Sequence, residues 1–200
     1  MKRGSIKTKI KDVVDYWSAR VDECGLSVDW SEADSRCWRC GCQKNLERCH
    51  IVPDSLGGED SPSNLVLLCK RCHAENPNVA DAEIMWDWIR AYGVPNYETF
   101  WTIRGMQEYR FIYKKSPMEE LVLLGITDPS QIWDEYLNVM DEVQLQASNH
   151  FGQPYLNSAT LAGLFRMALK RLAIKRGKNL ISVKEMQSVP RTPWWVIDKV

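Results

Sequence analysis

Cys37-Trp38-Arg39-Cys40 and Cys69-Lys70-Arg71-Cys72 decide how this chain is read. A C-x-x-C turn sets two thiolates on one side of a tight knuckle. Two such knuckles supply four ligands to one tetrahedral ion, with Zn–S near ~2.3 Å. Cysteine fills all four positions, so no coordination site stays open and the expected Zn²⁺ is structural. Its binding contributes to the folding of a segment too short for a good core of its own. Cys42 is an alternative to Cys40, although Cys40-Gly41-Cys42 is a less usual knuckle spacing. Cys24 and Cys49 are left over, and Cys24, near a helix end, reads as a core thiol.

Between the knuckles, Leu46 to Pro53 reads as a strand with Pro53 as its natural end. Asp54 to Ser63, rich in Gly, Asp, Ser and Pro, reads as a loop. Leu65 to Leu68 is a second short strand, and the second knuckle starts a helix that carries His73 and is limited by Pro77. Gly57-Gly58 is read as a turn needing positive φ, without chemistry. The order is first knuckle, Arg48-Cys49-His50-Ile51-Val52-Pro53, Gly57-Gly58, Asn64-Leu65-Val66-Leu67-Leu68-Cys69, second knuckle and His73. This combination resembles the HNH endonuclease family, also called ββα-metal nucleases, over roughly a quarter of the chain.

The resemblance implies an α+β, mostly helical protein: a zinc-stapled ββα-metal motif with N- and C-terminal helical additions. It implies an endonuclease that hydrolyses phosphodiester bonds of DNA with one divalent ion, Mg²⁺ or Mn²⁺. His50 would be the general base, since an imidazole of pKa near ~6.5 suits removal of a proton from water at neutral pH. His73 would be a ligand of the divalent ion, with a second reading as a zinc ligand beside Cys72. Asn64 would tether the loop and orient His50 by hydrogen bonding. Products of the family carry 5′-phosphate and 3′-hydroxyl ends. One position departs from the pattern. The residue before the base is usually Asp, His or Glu and helps to bind the catalytic metal, but here it is Cys49. Mg²⁺ prefers oxygen to thiolate. Either Cys49 binds a softer ion, or Asn76 (then Asp54, Glu75 or Asn78) substitutes, or the site is weakened. The last outcome sustains the alternative function, a catalytically inactive zinc-stabilised nucleic-acid-binding module.

Composition bounds the rest. The chain of 200 residues carries 26 Lys+Arg and 26 Asp+Glu, so any nucleic-acid surface must be local. Hydrophobic content of 44% excludes a disordered chain, and nine Trp point to a Trp-rich core. No run approaches the ~20 apolar residues of a membrane helix, and the basic start has no apolar stretch behind it. The expectation is therefore a cytoplasmic protein without membrane contact, in which seven cysteines serve as metal ligands and buried thiols rather than disulfides.

We divide the chain into a basic N-terminal arm and helix (1–36), the HNH motif (37–80) and a helical C-terminal region (81–200). Helical spacing predicts helices from Ile6 to Cys24, Asp81 to Tyr92 with Gly93 as C-cap, Asp128 to Ala147, and the basic helix 158–176. Tyr97 to Tyr113 has no readable period. Seven acids and no base lie between Ser116 and Leu145, whereas Arg166 to Arg191 is strongly basic. A solvated face explains such segregation, and a phosphate-binding surface is the sharper reading. Candidate DNA contacts are Lys44, Arg48, Lys70 and Arg71 on the motif and Arg166, Lys170, Arg171 and Lys175 on the basic helix. DNA is the expected partner, with a homodimer left open.

Overall fold

The computed structural model describes residues 6–150 and 152–180. Two compact units divide the chain, Met1–Trp101 and Thr102–Val200. About half of the described residues are helical, and one small two-stranded antiparallel sheet lies among them, as the sequence implies.

The first unit opens with α1 (Ile10–Ser18), shorter at both ends than the predicted Ile6–Cys24. At its start the Asp60 carboxylate accepts from the backbone N–H groups of Lys7 (2.6 Å) and Thr8 (3.3 Å). These bonds hold the arm on the loop, and Lys9 is extended. At its end, the Asp22 carboxylate accepts from the Cys24 backbone N–H at 2.6 Å. Such local turns compete with helix. Cys24 is exposed, which corrects its reading as a core thiol.

Strands β1 (Leu46–His50) and β2 (Leu65–Cys69) pair antiparallel from Leu46 opposite Cys69 to His50 opposite Leu65. β1 ends before Pro53 because side-chain bonds from Asn64 replace the ladder at Val52. β2 is buried along its whole length. Its free edge is covered: Trp38 N–H donates to the Leu67 carbonyl (3.0 Å) and Trp17 Nε1–H to the Leu65 carbonyl (2.8 Å). An uncovered edge would template pairing with other chains. Two further indoles bond inward, Trp38 to the Ala33 carbonyl and Trp30 to the Val21 carbonyl. The Trp17, Trp86, Trp38 and Trp30 rings follow one another at centroid separations of 4.7, 6.4 and 5.1 Å. The Trp-rich core expected from composition lies here, around Trp38, Met85 and Ile89.

Helix α2 (Lys70–Glu75) starts inside the second knuckle and stops at Asn76, ahead of Pro77. α3 (Ala82–Arg90) starts at Asp81, whose carboxylate accepts from Glu83 N–H. Gly93 is not a left-handed C-cap: a Cβ there would lie 2.5 Å from the Gly25 carbonyl oxygen. Its glycine serves close backbone approach instead.

α4 (Phe100–Tyr113) leads into the second unit, and α5 (Pro117–Leu124) follows. A full capping box opens α5, with Ser116 and Glu119 each satisfying the other's backbone N–H. The helix predicted from Asp128 to Ala147 is broken into α6 (Pro129–Gln131), a π-helical turn over Ile132–Leu137, and α7 (Asn138–Gln144). The Asn138 side-chain amide takes the Asp134 carbonyl, and its backbone N–H turns to Glu135. A side chain inserted into the ladder in this way distorts a helix. α8 (Ser158–Lys175) matches its prediction closely and is capped by Asn157, which accepts from Thr160 N–H at 2.8 Å.

Acidic and basic segments meet inside this unit. Arg166 lies 2.8 Å from both Glu120 carboxylate oxygens, Arg171 pairs with Glu142 at 3.0 Å and Arg176 with Glu135 at 2.7 Å. Arg166 is 5% exposed and Glu120 3%. Tyr109 donates to Glu120 and accepts from Arg166, and burial beside that carboxylate holds its phenol well above the ordinary range. Breaking a buried pair by removing one partner strands the other charge, at about 3–5 kcal/mol. Arg166→Met is therefore expected to lose about that much stability in urea unfolding. A loss below about 1 kcal/mol would show that Glu120 is relieved by water.

Candidate active site

The knuckles close as their spacing requires. In the first, Gly41 N–H donates to the Cys37 carbonyl at 2.8 Å and Cys37 N–H to the Cys42 carbonyl at 3.1 Å. In the second, the Cys69 thiol accepts from Cys72 N–H at the start of α2. The four Sγ atoms of Cys37, Cys40, Cys69 and Cys72 lie within 4.8 Å of one another, and Cys40 and Cys69 are 3.9 Å apart. Tetrahedral Zn–S bonds of ~2.3 Å give S···S edges of about 3.8 Å, so the donor set fits zinc. Cys42 is not in the cluster; its thiol turns to the Cys40 carbonyl, which settles the choice between them.

Burial disfavours a bare thiolate and pushes the Cys37 thiol up. Arg39, inside the first knuckle and 2% exposed, reaches Cys72 Sγ (3.9 Å) and Glu75 (2.9 Å). Its guanidinium lies 3.9 Å from the Trp88 ring centroid. A buried cation at this point offsets the negative charge that four thiolates bring to a divalent ion. Sequence reading passed over Arg39; a basic residue inside a knuckle was the available signal.

The hairpin presents two faces. Glu47 and Cys49 share one, and Leu46, Arg48 and His50 the other. His50 sits half-buried at the end of β1, opposite Leu65. Nearby, hydrogen bonds from Lys7 and Thr8 hold the Asp60 carboxyl below its usual range. Asn64 clamps the loop: its Oδ1 accepts from Val52 N–H (2.9 Å), and its Nδ2 donates to the Val52 (3.0 Å) and Glu59 (3.0 Å) carbonyls. These bonds fix the backbone two residues beyond His50 rather than the imidazole itself. Gly57 has the positive φ of 90° expected of the turn. Gly58 has another reason to be glycine, since a Cβ would fall 1.7 Å from the Val52 carbonyl oxygen.

His73 projects from α2, 38% exposed, and its Nδ1 lies 2.7 Å from Glu47 Oε2. No hydrogen bond among the described residues joins His50 to His73. Cys49 is 1% exposed, and burial, with the Glu47 charge second, pushes its thiol up to about 12. The Asn76 amide donates to the Pro77 carbonyl at 3.0 Å. Of the bases proposed to meet DNA, Lys44 and Lys70 are exposed, as are Lys170 and Lys175. Arg48 donates to the Thr8 carbonyl at 2.8 Å, and the Arg71 guanidinium lies 3.1 Å from the Trp101 ring centroid. Arg166 is corrected: burial against Glu120 removes it from any phosphate contact. Arg171 is paired with the exposed Glu142 carboxylate. The basic residues beyond Leu180, and Lys2 and Arg3, lie outside the described residues.

Residues 27–88 match the family described as HNH endonuclease. That segment, just under a third of the chain, is thus an HNH-family unit, and it contains the four-cysteine cluster, β1, β2, α2 and His73. Comparison with curated proteins and with solved structures returns no match.

Proposed function

We propose that the protein is an endonuclease that hydrolyses phosphodiester bonds of DNA, with His50 as general base and a divalent ion held at His73. The observation that carries this reading is the HNH match over 27–88 together with a closed four-thiolate cluster at the mouth of the hairpin. A structural ion at that place leaves the hairpin end free for chemistry. His50, held at a strand end by the Asn64 clamp, takes the proton of the attacking water. The oxygen of that water bonds to phosphorus as the P–O3′ bond breaks, and the departing O3′ takes a proton from solvent water to become the 3′-hydroxyl. When bound, Mg²⁺ or Mn²⁺ supplies Lewis-acid stabilisation of charge growing on the phosphate oxygens. Exposed Lys44 and Lys70 are the proposed backbone contacts on the motif, with Arg48 and Arg71 beside them. On α8, Lys170 and Lys175 remain candidates. Each neutralised phosphate adds about 0.9 to the slope of log K against log salt. Among the described residues no helix is long and apolar enough to cross a membrane.

Cutting of an end-labelled duplex in Mg²⁺ or Mn²⁺, abolished by EDTA, is the expected result, with nicks that a ligase reseals because they carry 5′-phosphate and 3′-hydroxyl ends. The buried, protonated Cys49 favours one rival, a zinc-stabilised DNA-binding module without catalysis. Retarded DNA that is never cut in any divalent ion would establish it.

A further inference from the structure

We infer that Glu47 is the oxygen ligand of the divalent ion at His73, replacing the carboxylate that position 49 lacks. The inference rests on the proposed metal-dependent function and adds a residue to its site. Strand period places Glu47 and Cys49 on the same face of β1, two residues apart. Cys49 is closed off at 1% exposure and is soft sulfur. The Glu47 carboxylate is 44% exposed and lies 2.7 Å from His73 Nδ1, itself on a side chain 38% exposed. Two donors at right angles in an octahedral shell of ~2.1 Å bonds sit about 3.0 Å apart. The observed 2.7 Å is a hydrogen-bonded contact about 0.3 Å inside that edge, so a small side-chain shift opens it to a ligand pair; both groups reach solvent, where Mg²⁺ or Mn²⁺ retains several waters. Asn76 was the expected substitute; its Nδ2 donates to the Pro77 carbonyl, and no hydrogen bond among the described residues brings it to His73. Glu47 and His73 are 26 residues apart in the chain, so only the folded hairpin and helix bring them together.

The zinc-loaded full chain titrated with Mn²⁺, with free Mn²⁺ followed by electron paramagnetic resonance, tests this. Wild type is expected to bind one Mn²⁺ beyond the zinc. His73→Ala and Glu47→Gln should each weaken that binding at least tenfold, with zinc content unchanged. Glutamine keeps an acceptor for His73 Nδ1–H but removes the charge. Affinity within twofold of wild type in Glu47→Gln would therefore overturn the inference and reduce Glu47 to orienting His73. That result, with His73→Ala weakened, leaves the proposed function standing. A wild type with no second site contradicts the proposed function itself. Should Glu47→Gln lose its zinc, wild type labelled with ¹³C-carboxylate glutamate decides: ¹³C coupling to bound Mn²⁺ supports ligation, and its absence overturns it.

Discussion

His50→Ala is expected to reduce DNA cleavage by about 10²–10⁴-fold, the usual contribution of a positioned acid or base. Zinc should remain at one equivalent and the melting temperature should move little. The separation follows from geometry. His50 ends β1, opposite Leu65, and belongs to neither the four-thiolate cluster nor the Trp17–Trp86–Trp38 stack. Its neighbours are fixed by Asn64 bonds to Val52 backbone, which the substitution leaves in place. Single-turnover cleavage at saturating Mn²⁺ is the measurement. Retention of more than about a tenth of the wild-type rate would remove His50 as the base. Binding of uncut DNA should be almost unchanged, since no proposed phosphate contact is lost.

Removal of zinc is expected to have the largest effect on stability. Structural zinc contributes about 10–16 kcal/mol to small metal-stapled units near neutral pH, more than such a unit holds otherwise. Chelation or Cys69→Ser should unfold the first unit, and the Trp17, Trp86, Trp38 and Trp30 group should report it as a large change in tryptophan fluorescence. The second unit, built on its own core of Tyr109, Leu121, Phe165 and Leu169, should keep its helical circular dichroism. The pH dependence has a definite sign. A free thiol keeps its proton at neutral pH and binds zinc only as thiolate, so protons must leave for zinc to enter. Zinc affinity should fall as pH falls, measured by chelator competition. Affinity independent of pH between 6 and 8 would contradict a four-thiolate site.

Much of the metal unit was legible because its constraints are local. C-x-x-C spacing fixes a knuckle within four residues, β2 follows from its short apolar run, and β1 is delimited by Pro53 and the Asp54–Ser63 loop. Helices α3 and α8 declared themselves by period, and α8 also by the left-handed Gly177 just beyond it. The α1 boundaries were not readable, because Asp60, a residue far along the chain, holds Lys7 and Thr8 out of the helix. α4 carries aromatic residues on several sides, so no period marks it. α5 had a signal that was passed over, Ser116 followed at the proper spacing by Glu119. Charge deceived most. Arg166 reads as a solvated cation, and only packing against Glu120 and Tyr109 reveals it as core. The Glu47–His73 pair is likewise a product of the fold, since neither residue type nor spacing announces it.

The central claim is that a zinc-held hairpin performs metal-dependent hydrolysis of DNA. Supercoiled plasmid incubated with the zinc-loaded protein tests it most directly. The account predicts relaxed or linear plasmid in Mg²⁺ or Mn²⁺ and intact plasmid in EDTA at a chelator level that leaves the protein-bound zinc in place. Plasmid that stays supercoiled in every divalent ion, with zinc bound and DNA retained on the protein, would contradict it.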